Sequence, residues 1–142
     1  MIQRFQAFVT GITECHKYIQ KIKNVEMTEF GLKGTHVMCL FYLHYYPEGL
    51  TAAQLCKLCC EDKAAISRSL ALLQERGFIR SGEKKYRACL QLTDAGRQVA
   101  GQMDGLIEQW VGLGGSGLTE QERDTFYHVL EMISANLREN VS

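Results

Sequence analysis

The chain has 142 residues, with 16 Lys plus Arg balanced by 16 Asp plus Glu. That length fits one domain of about 100–200 residues, and 46% hydrophobic with 23% charged residues excludes a disordered or fibrous chain. No apolar run approaches the roughly 18 residues a membrane span needs. The start, Met1-Ile2-Gln3-Arg4-Phe5-Gln6, shows no secretory signal, so a cytoplasmic location without a membrane partner is expected.

Ile2, Phe5, Val9, Ile12, Ile19 and Ile22 follow the three-and-four spacing of one helix face. A second helix is predicted over 35–46, ending before Pro47, the only proline. Thr51 is a good N-cap for a short helix carrying Leu55 and Leu58. Asp62 caps the next helix, with Ile66, Leu70 and Leu73 as its buried stripe and Gly77 as its left-handed stop. The period then changes. Residues 78–80 and 88–92 read as two short strands of a hairpin turning near Gly82. Thr93 caps a helix with Val99, Met103, Leu106, Ile107 and Trp110 on one face, and the glycine-rich stretch 112–117 is expected to break it. Thr119 with Glu122 is a capping box opening a last helix striped by Phe126, Val129, Leu130, Ile133 and Leu137.

The charge balance is a cancellation. Residues 57–97 carry nine basic and five acidic side chains, whereas 98–142 carry two basic and seven acidic. Such asymmetry points to a polyanion partner for the basic part. A short helix, a tight turn and a longer helix with Lys63, Ser67 and Arg68 fit a helix-turn-helix. A hairpin with Lys84, Lys85 and Arg87 after it makes a winged one, whose basic residues reach phosphates or the minor groove.

Four stretches in order resemble the MarR family of bacterial transcription regulators. They are Gly31-Leu32 through Leu43; Leu50-Thr51-Ala52-Ala53-Gln54-Leu55; Asp62-Lys63-Ala64-Ala65-Ile66-Ser67-Arg68-Ser69-Leu70 running on to Ile79; and Leu92-Thr93-Asp94-Ala95-Gly96, similar to the family's L-T-x-x-G. The resemblance covers essentially the whole chain. It implies an α+β, mostly α fold: a winged helix-turn-helix over 35–97, with dimerisation helices over 1–34 and 98–142. It also implies a homodimer on a pseudo-palindromic double-stranded DNA operator, repression as the default, and a small-molecule effector bound between the two parts. Carried over by residue, Lys63, Ala64, Ala65, Ser67 and Arg68 take the base-edge positions, and Arg68 is the best guanine or phosphate donor. The wing departs from the family's Asp-x-Arg: those positions hold Lys84 and Tyr86, with Arg87 one further on.

Other features carry rival readings. Cys56, Cys59 and Cys60 have C-x-x-C-C spacing, but no second pair completes a zinc signature. Free cysteine usually packs as a small hydrophobe, and alignment on the family gives Cys56 a small buried position. If a thiol acts as a redox switch, Cys15 and Cys60 are the candidates. Phe41, Tyr42, Met103 and Trp110 are candidate effector-pocket residues, with plain core packing as the alternative. No G-x-S-x-G, H-E-x-x-H or P-loop occurs, so neither an enzyme, a metal site nor a cofactor is expected. Two other functions stay open: a thiol- or metal-responsive regulator of the same fold, and a winged-helix protein-interaction module without DNA binding.

Overall fold

Local capping chemistry decides where most of the helices begin and end. The computed structural model describes residues 1–82 and 89–141. Helix α1 spans Ile2–Glu26, followed by a 3-10 turn at Thr28–Phe30. Then come α2 (Gly34–Tyr45), α3 (Ala52–Cys59) and α4 (Lys63–Glu75). Strands β1 (Ile79–Ser81) and β2 (Leu90–Leu92) precede α5 (Asp94–Gly114) and α6 (Glu120–Asn140). The class is α+β, mostly α, as expected from the sequence.

Thr51 and Gln54 exchange side-chain and backbone hydrogen bonds in a reciprocal box at the start of α3. Asp62 accepts the Ala65 N–H at 2.7 Å to open α4. Both helices stop in the same way. After α3, Cys60 N–H donates to Lys57 O and Glu61 N–H to Cys56 O. After α4, Gly77 N–H donates to Gln74 O and Phe78 N–H to Leu73 O. Each pair satisfies the last carbonyls of its helix in a Schellman motif, which needs a left-handed residue. Gly77 meets that need without strain at φ +73, whereas Cys60 does so at φ +52.

The strands pair antiparallel, Ile79 opposite Leu92 and Ser81 opposite Leu90. Leu90 also exchanges both backbone hydrogen bonds with Leu50, a bridge that no local pattern announces. Side-chain alternation puts Leu90 and Leu92 on the buried face. They join Leu32, Leu40, Leu43, Leu55, Ile66 and Leu73 in the core.

The chain forms two compact units, Met1–Asp104 and Gly105–Ser142, divided within α5. In the first unit, Asn24 of α1 accepts the Gly34 N–H at the start of α2, and Arg76 donates to Phe30 O at 3.0 Å. In the second, the Thr119–Glu122 box starts α6 and Arg123 donates to Gly115 O at 2.9 Å. Neither α1 nor α6 has a buried residue among those described, so their apolar stripes are surface.

Two readings need adjustment. Helix α5 continues through Gly112 to Gly114 instead of breaking at 112. Glycine costs only about 1 kcal/mol in a helix, too little to stop one this long, and the chain turns at Gly117, where φ is +83. Cys56 is half-buried, not fully buried.

The L-T-x-x-G stretch has a steric cause. Thr93 caps α5 by accepting the Gly96 N–H, and its own N–H donates to Phe78 O at 3.0 Å. A Cβ on Gly96 would lie 1.9 Å from Phe78 O. Alanine normally gains up to about 1 kcal/mol over glycine in a helix, but overpacking costs about 1–3 kcal/mol. Gly96→Ala should therefore lower stability, measured as a reduced urea midpoint with an unchanged m-value.

Candidate nucleic-acid interface

Helix α4 has two faces. Ile66, Ser69, Leu70 and Leu73 are buried, while Lys63, Ala64, Ser67 and Arg68 are exposed. The exposed set recurs at one and four residues, so these side chains share one side of the helix. Ala65 is half-buried and its N–H is held by Asp62, leaving it the least open of the five expected positions.

The helix start is well defined because Asp62 fixes the first turn, where both Lys63 and Ala64 lie. Neither Lys63 nor Arg68 has a salt-bridge partner among the described residues. Their charges therefore face solvent, in a position to meet an anionic surface. Two other arginines of the basic segment are committed elsewhere. Arg76 holds Phe30 O, and Arg97 donates to Leu92 O while pairing with Asp94. Charge counting does not distinguish these from Arg68. Lys84, Lys85 and Arg87, the expected wing contacts, lie outside the described residues.

The candidate pocket residues have varied surroundings. Met103 is buried in the core. Phe41 stacks edge-on with Tyr42 at 5.2 Å and contacts Tyr45 at 4.8 Å, and Trp110 belongs to the second unit. A cavity of about 300 Å³ in the first unit is instead lined by Leu43, His44, Pro47, Arg80, Gln91, Leu92 and Arg97. Next to it, Asp104 accepts the Tyr45 hydroxyl at 2.8 Å and lies 3.4 Å from His44 Nε2.

Among the candidate switch thiols, Cys15 is exposed on α1 and Cys60 is exposed in the turn before α4. Cys60 donates weakly to Lys57 O at 3.7 Å. The structure also places two thiols that sequence spacing did not pair, Cys39 of α2 and Cys59 of α3, close enough to influence one another electrostatically, with the Cys39 thiol held above and the Cys59 thiol below the usual range. Among the described residues no group of three or more His, Cys, Asp or Glu side chains is placed to hold a metal ion. No helix among them is long and apolar enough to cross a membrane.

This geometry can be set beside known proteins. Residues 30–85, from the 3-10 turn through α4 and β1, match the model of the MarR family. That segment is similar in sequence to the MarR family. The fold extends the likeness beyond it. A MarR protein from Peptoclostridium difficile superposes with a TM-score of 0.84 at 17% identity, covering 94% of this chain and 89% of that one. A MarR family transcriptional regulator from Silicibacter pomeroyi gives 0.76 at 26%, covering 89% and 86%. MepR of S. aureus, solved as a DNA complex, gives 0.78 at 19%, covering 90% and 94%. No curated protein sequence matches. The fold likeness to these structures thus covers about nine-tenths of the chain.

The strained Cys60 gives a test of the turn before α4. A left-handed non-glycine residue costs about 1–2 kcal/mol, while glycine loses about 0.5–1 kcal/mol more through unfolded-state entropy. Cys60→Gly should raise stability by about 0.5–1 kcal/mol, seen as a higher melting temperature under reducing conditions.

Proposed function

We propose that this protein is a sequence-specific, double-stranded DNA-binding transcriptional regulator that acts as a homodimer. The observation that carries the reading is α4: a capped, rigidly seated helix whose exposed side presents Lys63, Ser67 and Arg68 without acidic partners among the described residues. A helix of that width enters a major groove, and the guanidinium of Arg68 is a fork-shaped donor for guanine or phosphate. Lys84, Lys85 and Arg87 are assigned to phosphate or minor-groove contact from the sequence alone. The DNA-bound MepR neighbour supports the reading of a DNA partner by likeness of fold.

The homodimer reading rests on uncovered apolar surface. Phe5 is 68% exposed on α1, and Phe126 is 53% exposed on α6. Stripes of this kind on one soluble chain suit burial against a second copy. Two α4 helices would then read half-sites about 34–36 Å apart on a pseudo-palindrome. Repression, with release by a small-molecule effector, is the regulatory form proposed. An effector would act by favouring one spacing of the two reading heads.

Fluorescence anisotropy on the duplex upstream of the protein's own gene tests the DNA reading. Affinity should fall with added salt as phosphate contacts release counterions. Arg68→Ala should cost about 1–3 kcal/mol and relax site preference, whereas Lys84→Ala should weaken all duplexes alike and reduce the salt slope by about 1. Absence of duplex binding at micromolar protein, with a retained fold, would favour a protein-interaction module instead.

Phe5→Glu and Phe126→Glu test the second copy. Each should shift sedimentation toward the monomer at micromolar concentration while helical circular dichroism is kept. A wild-type monomer at that concentration would remove the dimer from the proposal.

A further inference from the structure

Helix α2 opens on an unusual cap. The Lys33 N–H donates to Nδ1 of His36 at 3.1 Å, and His36 holds the third helical position, where a capping box normally carries Glu or Gln. The next amide, Gly34 N–H, donates to Asn24 Oδ1 of α1 at 2.9 Å. An imidazole accepts only through a nitrogen that carries no proton, so this bond selects neutral His36 with its proton on Nε2. A Gln acceptor would hold the same amide at any pH. Histidine holds it only while uncharged.

The surroundings oppose the charged form. Burial first, then the guanidinium of Arg76, then Lys33, hold the His36 pKa below the ordinary value of 6.5. Arg76 reaches over from the end of α4, donating Nη1 to Phe30 O at 3.0 Å. Its guanidinium lies against Gly31, where an added Cβ would sit 3.0 Å from Nη1. From α1, Gln20 and Asn24 offer only neutral amides to the start of α2. Glu61, after α3, accepts the Thr35 hydroxyl at 3.5 Å and acts on Lys23. Neither Glu61 nor Glu29 of the 3-10 turn forms an ion pair with His36 among the described residues. A protonated His36 would join Arg76 and Lys33 as a third cation with no acid paired to it.

We propose that His36 is an acid-sensitive positioning residue: its protonation opens the cap of α2, displaces Arg76 from Phe30 O, and loosens the hold on α4. The order of events follows from the geometry. A proton on Nδ1 turns that atom from acceptor to donor, facing the Lys33 N–H, and the capping bond is lost. The imidazolium then repels the guanidinium beside it. Helix α4 loses the tie between Arg76 and the turn before α2, and keeps the contact of Gly77 O with Thr93. The effect on DNA rests on the function proposed above, whereas the cap and its titration do not.

The lowered pKa sets the sign. The native state prefers neutral His36, so its contribution to stability is whole above the unfolded pKa of about 6.5 and is lost as pH falls through the lower folded value. Operator affinity should fall over the same window. Charge alone predicts the reverse, since acid makes the protein more cationic toward phosphate.

The full-length protein is studied between about pH 7.5 and 5, across the histidine range, at constant ionic strength. Urea midpoints, protection of the Lys33 amide against hydrogen exchange, and anisotropy on the upstream duplex are followed together. Wild type should lose stability, Lys33 protection and about fivefold or more in affinity as pH falls, and regain all three at neutral pH. His36→Gln supplies an acceptor that does not titrate, and should resist the acid that weakens wild type. His36→Ala lacks the acceptor throughout, so its Lys33 amide should exchange faster already at neutral pH. Arg76→Gln removes one opposing charge and should raise the His36 pKa read from its imidazole NMR shift; if that variant does not fold, His36→Gln carries the test. Equal acid sensitivity in wild type and His36→Gln overturns the proposal, as does Lys33 protection that acid leaves unchanged. Acid-labile stability with unchanged operator affinity overturns the link to α4. Failure of wild type to bind any duplex at neutral pH overturns the DNA reading and leaves the cap standing.

Discussion

The first unit depends on one crowded backbone contact, the approach of α5 to the segment that leaves α4. Phe78 O accepts the Thr93 N–H and lies where any side chain at position 96 would have to go. The Thr93 hydroxyl donates to Gly77 O and accepts the Gly96 N–H. Two residues thus join the end of α4, the return from β2 and the start of α5. Backbone carbonyl and amide groups find partners in one place, and the orientation of α4 is set from its C-terminal end. At the other end Asp62 holds the first turn. A helix secured at both termini loses little further entropy when it meets a rigid partner.

The same frame explains how charge is spent. Arg76 and Arg97 sit in the basic segment but bind backbone carbonyls at its edges, where they hold the 3-10 turn and the exit of β2. Lys63 and Arg68 project from α4 away from the core. Only charges of the second kind are available to a partner, and their value depends on ionic strength because they are exposed. The uncovered apolar surface of α1 and α6 is a separate matter. These helices are stable enough to form, yet bury none of their own residues, and helices of that kind normally depend on packing for most of their stability.

Much of the fold was legible from the sequence. Caps and stops read well, since each involves residues within about five positions of one another: Thr51 with Gln54, Asp62 with Ala65, Gly77 at the end of α4 and Thr119 with Glu122. The buried stripe of α4 was also readable, because a 3.6-residue period is a local property. Stripes on α1 and α6 have the same pattern without burial, since periodicity tells which residues share a face but not what covers it. The glycine-rich stretch after α5 was read as starting earlier than it does, because glycine weakens a helix end without forbidding it.

Element type, most helix boundaries and the buried stripe of α4 were therefore determined by the sequence itself, through short-range hydrogen bonding and periodicity. Only the tertiary structure decided that Leu50 bridges to Leu90, that Arg76 reaches Phe30 O, and that Cys39 lies near Cys59. The physical reason is the same for all three. Each joins residues at least 20 positions apart, and such a pair is set by how helices and strands pack, not by the preferences of the chain around either member.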